Sequence, residues 1–167
     1  LPRVPALAAL TWFTELQTVH GVVPGREAEA SQDSESRFLA GTTAMYLNSR
    51  RGTPTYRESA AFDWDIAPLP RGVVEAGVLH SDGYCLSATA ADKDAAWRFI
   101  EFANSPEGQR IVAQSGRTVS SLIAVAESDA FLDPAQRPAR SRVFLDTIPA
   151  LRLVPVLSTW NDIESTA

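Results

Sequence analysis

The sequence has few of the residue types on which most covalent and metal chemistry depends. Among its 167 residues are one cysteine, Cys85, and two histidines, His20 and His80. A lone cysteine excludes an intramolecular disulfide framework and any cysteine-based zinc cluster. A nucleophile–base pair would have to be assembled from almost nothing. No His-Glu-x-x-His, Gly-x-Ser-x-Gly or phosphate-cradling glycine loop is present. Cys85 lies between Tyr84 and Leu86, where a buried, inert thiol is expected. Positive charge is also scarce: 15 Lys and Arg against 20 Asp and Glu give a net −5, with no basic block. Nucleic acid is therefore not an expected partner, because a grip on phosphates is made by clustered positive charge. The longest apolar runs are only a few residues, against the roughly 20 that a membrane-spanning helix needs.

What is present is globular in character. Hydrophobic residues make up 45% and charged residues 21%, a balance that excludes a disordered or fibrous chain. Leu7, Leu10, Phe13, Leu16 and Val19 recur close to helical period, predicting a helix over 6–20 that Gly21 stops. His20 reads as a surface residue at that helix end. Residues 25–36 are small and polar without a stripe, and a loop with at most one helical turn is expected. Thr42 to Leu47, Phe62 to Pro70 and Tyr84 to Ala88 are three strand candidates. In the second, Phe62, Trp64 and Ile66 alternate with Asp63 and Asp65, giving one dry and one wet face. The strongest signal is a helix pair over 92–115. Asp92 precedes Ala96, Trp97, Phe99, Ile100 and Ala103; Ser105-Pro106-Glu107 restarts the helix with a cap, a proline and an acid; Gly116 ends it. A short helix over 139–147 follows. Thr159 to Glu164 reads as a helix just beginning, and a piece of a longer protein is the expectation.

Two features carry candidate chemistry. Asp63-Trp64-Asp65 spaces two strand carboxylates so that both point one way, as in a metal-dependent glycosyltransferase site; a solvated strand face gives the same pattern. Of the four tryptophans, Trp12, Trp64 and Trp97 lie on apolar faces and read as core. Trp160 stands at a helix start among Ser158, Thr159, Asn161 and Asp162. The residues alone leave it divided between core packing and stacking on a sugar ring.

In order along the chain, several segments resemble motifs of one family. Phe38-Leu39-Ala40-Gly41-Thr42-Thr43-Ala44-Met45-Tyr46-Leu47 is similar to an F-x-x-G-x-x-A-M strand, and Phe62-Asp63-Trp64-Asp65-Ile66-Ala67-Pro68-Leu69-Pro70 to a strand in which Asp shortly precedes Pro-Leu-Pro. Ala95-Ala96-Trp97-Arg98-Phe99-Ile100-Glu101-Phe102, followed by Ser105-Pro106-Glu107-Gly108-Gln109, resembles an A-A-W-x-F-I-x-F … S-x-E-G-Q helix pair. Together they resemble the extracellular solute-binding proteins of ABC sugar importers (family 1, maltose-binding-protein-like), and the chain would be a C-terminal portion of such a receptor.

The resemblance implies an α/β, periplasmic-binding-protein-like (type II) fold, with helices flanking a small mixed sheet in a fragment of a two-lobed receptor. Residues 1–79 would belong to the second lobe, 80–122 would cross a hinge into the first, and 123–167 would return. The crossings would fall near His80 to Gly83 and near Arg117 to Ser121; relatives commonly carry proline near Ser120, which this chain lacks. Function would be capture of a sugar or oligosaccharide between lobes and delivery to a membrane permease, with no catalysis and no cofactor. Trp160 would stack on the sugar, Arg51 would fork hydrogen bonds to it, and Asp82, Gly83, Tyr84 and Arg117 would line the cleft. The expected setting is extracytoplasmic, lipid-anchored and monomeric.

Overall fold

The computed structural model describes residues 3–153 and 157–166. The chain forms two compact units: unit 1 is Leu1–Asn48 with Ser59–Phe62, and unit 2 is Ser49–Glu58 with Asp63–Ala167.

Unit 1 opens with α1 (Arg3–Thr18), the helix expected from the leucine spacing. The chain leaves it through Gly21 at φ +60°, a backbone state that glycine adopts at no steric cost. His20 is exposed, and its backbone N–H donates to the Glu15 carbonyl. The expected loop at 25–36 is instead two short helices, α2 (Arg26–Ser31) and α3 (Ser34–Leu39). Polar contacts replace an apolar stripe here. Asp33 caps α3 by accepting from the Ser36 N–H at 2.8 Å. Arg37, reaching back from α3, donates to Glu29 at 2.6 Å and to the carbonyls of Ala28 and Gln32 at the end of α2. The Ala28 carbonyl also accepts from the Gln32 N–H at 3.1 Å and the Ser31 hydroxyl at 2.8 Å.

The strand expected over 42–47 is not formed. The segment is held by rings instead. Phe38 stacks on Tyr46 at 5.8 Å and meets Phe62 edge-on at 5.3 Å.

Unit 2 begins with a 3-10 turn (Arg50–Gly52) running into α4 (Thr53–Ser59). The helix pair expected over 92–115 is present as α5 (Lys93–Asn104) and α6 (Pro106–Ser115). Asp92 accepts from the Ala95 N–H at 2.8 Å, Ser105 from the Gly108 N–H at 3.2 Å, and Gly116 closes α6 at φ +83°. Ser105 and Gly116, named from sequence as start and stop of the second helix, act as its caps, and Asp92 caps the first. α5 and α6 meet closely at Gly108, where a Cβ would lie 2.9 Å from the Ala103 Cα and inside the envelope of the Phe102 carbonyl oxygen.

Two one-turn helices, α7 (Ile123–Ala126) and α8 (Asp129–Leu132), fold back onto α6. Ala113, Val125 and Phe131 are buried there, with Val119, Leu122, Ala130, Leu132, Phe144 and Leu145 packed around them. Burying such side chains contributes about 1.5–3 kcal/mol each, and this cluster is the core of the unit. α9 (Arg142–Asp146) realises the central part of the helix expected over 139–147.

The sheet among the described residues is one parallel pair, β1 (Gly77–Val78) and β2 (Leu151–Arg152), with Gly77 opposite Leu151 and Val78 opposite Arg152. Among the described residues 84–88 form no strand and 62–70 have no ladder partner. Both are expected from β-rich composition, but a strand is completed by its neighbour, and neither run has one among the described residues. The alternation in the second is nonetheless real: Phe62, Trp64 and Ile66 are withdrawn from solvent, and Trp64 is 8% exposed. α10 (Trp160–Thr166) closes the described chain.

Candidate functional site

All six residues named from sequence as ligand contacts fall in unit 2, on four segments. Arg51 is exposed in the 3-10 turn. Asp82, Gly83 and Tyr84 are exposed in the irregular stretch between β1 and α5, where Tyr84 meets Phe99 edge-on at 5.9 Å. Arg117 is exposed just past the end of α6, its backbone N–H donating to the Ser115 hydroxyl at 3.3 Å. Trp160 is half-buried as the first residue of α10, its N–H donating to the Leu157 carbonyl at 3.2 Å.

Three other expectations need correction. Cys85 is exposed, not buried. Trp12 and Trp97, read as core, are 59% and 53% exposed. Each lies on a helix whose apolar face has little of the described chain against it.

The two carboxylates of Asp63-Trp64-Asp65 are engaged by arginines. Arg137 donates to Asp63 at 2.5 Å and to the Trp64 carbonyl at 2.7 Å. Arg140 donates to Asp65 through its backbone N–H at 3.1 Å and its Nε at 3.4 Å. Partial burial pushes the Asp65 carboxyl up, but the Arg140 and Ile66 backbone N–H groups and the Arg140 guanidinium outweigh it and hold the group below its usual range. Among the described residues no group of three His, Cys, Asp or Glu is arranged to hold a metal ion.

A polar cluster that the sequence reading missed lies beside the unit 2 core. Arg50, next to the exposed Arg51, is only 7% exposed. Its guanidinium carbon sits 4.1 Å from the centre of the Phe131 ring and 4.9 Å from that of Phe144. Nη1 donates to the Ser141 hydroxyl at 3.4 Å, and that hydroxyl donates to the Pro138 carbonyl at 2.8 Å. Nε and Nη2 are buried without a hydrogen-bond partner among the described residues. Burial, with the like charge of Arg57, pushes the Arg50 guanidinium down to about 10. Arg57 itself ties α4 to the end of α6, donating to the carbonyls of Gln114 at 2.9 Å and Arg137 at 2.6 Å. No local sequence signal separates Arg50 from Arg51, although one side chain is buried and its neighbour is exposed.

Comparison with known proteins now bears on these units. No curated protein is similar enough in sequence to count as a match. Among solved structures, the ABC substrate-binding protein Lmo0181 from Listeria monocytogenes, in complex with cycloalternan, shares the fold with a TM-score of 0.76 at 22% identity. The likeness covers 95% of this chain and 40% of that one, so the chain spans well under half the length of that neighbour. The fold is thus the α/β periplasmic-binding type expected from the sequence motifs. The family model for bacterial extracellular solute-binding proteins matches residues 5–139, most of the chain, and the chain belongs to that family.

Proposed function

We propose that this chain is part of the substrate-binding component of an ABC importer, and that the intact receptor captures a sugar or oligosaccharide. The observation that carries the reading is the shared fold with a substrate-binding protein whose structure holds cycloalternan. Membership of an extracellular solute-binding family supports it. The receptor works outside the cytoplasm, held by a lipid anchor, as a monomer. It hands its ligand to the transmembrane subunits of the importer and carries out no reaction on it.

In this reading the intact receptor has two lobes joined by a hinge; α6, inside 80–122, shares the unit 2 core with α7 and α8 of 123–167, so the lobe boundary does not fall between those segments. Ligand contacts from both lobes favour the closed state, and the permease reads that state. Trp160 is the stacking residue. Its side chain is partly exposed at a helix head, a position from which an indole can lie against sugar C–H groups. Arg51, Asp82, Gly83, Tyr84 and Arg117 supply polar contacts from exposed positions.

Calorimetry of the intact receptor with cycloalternan and with free sugars tests the proposal. Trp160→Ala should weaken binding by roughly ten- to a hundredfold, the loss of about 1–3 kcal/mol of stacking area, with little change in melting temperature. A receptor that binds no carbohydrate defeats the reading. A Trp160→Ala variant that unfolds assigns the side chain to packing instead.

A further inference from the structure

We propose that Asp82 and Gly83 form a modification site, at which the chain closes to a succinimide and reopens as isoaspartate. The Gly83 nitrogen attacks the side-chain carboxyl carbon of Asp82, which reacts as the neutral acid. The N–C bond forms, the carbon–hydroxyl bond breaks, and the hydroxyl leaves as water with the nitrogen's proton. Solvent water then adds to either carbonyl of the imide. Attack at the side-chain carbonyl restores aspartate. Attack at the main-chain carbonyl leaves the backbone running through the Asp82 Cβ. One water leaves and one enters, so the step needs nothing beyond solvent.

Asp82-Gly83 is the one Asp-Gly step in the sequence. Glycine has no Cβ to crowd the attacking nitrogen or to narrow the backbone angles that ring closure needs. Both residues are exposed, in a stretch, 79–87, that lies outside every helix and strand of the described residues. Among the described residues neither the Gly83 N–H nor the Asp82 carboxylate has a hydrogen-bond or ion-pair partner, so closure breaks no bond there. The other aspartates followed by a small residue lack that freedom. After Asp33, Asp94 and Asp129, the N–H groups of Ser34, Ala95 and Ala130 donate to Glu29 at 3.0 Å, to Asp92 at 2.8 Å and to the Ser128 hydroxyl at 3.3 Å. Each of those three nitrogens also belongs to a helix, α3, α5 or α8. Asp133 is followed by Pro134, which has no N–H to lose. None of this rests on the carbohydrate reading.

The test is incubation of the 167-residue chain in warm, near-neutral buffer, with isoaspartate located by peptide mapping and electron-transfer fragmentation. Isoaspartate should accumulate at residue 82 with no change in mass, and further than at any other aspartate. In 18O-labelled water each event should bring in one solvent oxygen, the mark of imide hydrolysis. In urea Asp33, Asp94 and Asp129 should gain on Asp82, because the bonds that occupy the following nitrogens are lost. Gly83→Val should remove the accumulation at residue 82, since a β-branched neighbour crowds and stiffens the attacking nitrogen. A Cβ at Gly83 would have nothing within 4 Å, and its φ lies outside the left-handed region, so the variant should keep the fold by circular dichroism. If it does not, Asp82→Glu decides: it keeps Gly83, enlarges the ring that must close, and should give the same loss. No isoaspartate at residue 82, equal yields at the other aspartates of the folded chain, or accumulation that survives substitution overturns the proposal.

Discussion

Each unit buries one arginine beside its packed residues, and the two are buried in opposite ways. Arg37 in unit 1 is 9% exposed and spends its donors on Glu29 and on two carbonyls at the end of α2. Arg50 in unit 2 is 7% exposed and lies against two phenylalanine rings, which meet each other edge-on, with a single hydrogen bond. The first is a polar staple that satisfies the backbone of a short helix. The second is a cation set into an apolar clamp. Equal burial thus hides different energetics: removing Arg37 takes a donor from Glu29 and from the Gln32 and Ala28 carbonyls, the last of which keeps two others, whereas removing Arg50 takes a donor only from the Ser141 hydroxyl.

The largest expected effect comes from dismantling the clamp. Phe131→Ala removes one of Arg50's two rings and a 3%-exposed core side chain, and should cost about 3–5 kcal/mol in a urea melt. Arg37→Met should cost about 1–3 kcal/mol, the penalty for losing the charge-assisted bonds to Glu29 and the Gln32 carbonyl, with the helical signal of α2 and α3 falling first. Arg50→Met should change stability by less than about 1 kcal/mol or raise it, because an apolar isostere replaces an uncompensated buried charge. If the two arginine variants cost the same, the contrast between staple and clamp fails.

The smallest effect sharpens the comparison by pH. The Arg37 hydrogen bond, then that of Ser34, holds the Glu29 carboxyl below its ordinary 4.5. A carboxyl lowered on folding contributes stability that is present above its unfolded value and lost as pH falls through the folded one. Glu29→Gln should therefore be less stable than wild type at neutral pH, and the gap should close in melts taken progressively below pH 4.5. The Arg50→Met difference should not change across that window.

The helix pair was legible because its instructions are local. Asp92, Ser105, Pro106 and Gly116 act within one turn of themselves, and all four do what their types dictate. The short helices at 26–39 were not legible, since they depend on Arg37 meeting Glu29 eight residues away. The runs at 42–47 and 84–88 have strand composition, but the pairing that makes a strand is tertiary. Trp12 and Trp97 show the same gap: periodicity marks the face that seeks cover and says nothing of where cover lies. Among the candidate site residues, Trp160 was placed at its helix start by its neighbours. Arg50 was passed over because nothing local distinguishes it from Arg51; only Phe131, Phe144 and Ser141, some 80 or more residues on, do so.

Ser105 ends α5 and begins α6, and no other residue separates the two helices. Its hydroxyl donates to the Phe102 carbonyl at 2.7 Å and accepts from the Gly108 N–H at 3.2 Å. Gln109 adds a brace, donating to the Ala103 carbonyl at 2.9 Å and accepting from the Ser120 hydroxyl at 2.9 Å. A joint of one residue has no slack, so α5 is cantilevered from the core at a set angle. Trp97, Phe99 and Phe102, each about half exposed, ride on that beam already aimed. Any surface that settles on them would not have to immobilise the helix first, and the ordering cost of that side of the contact has been met in folding.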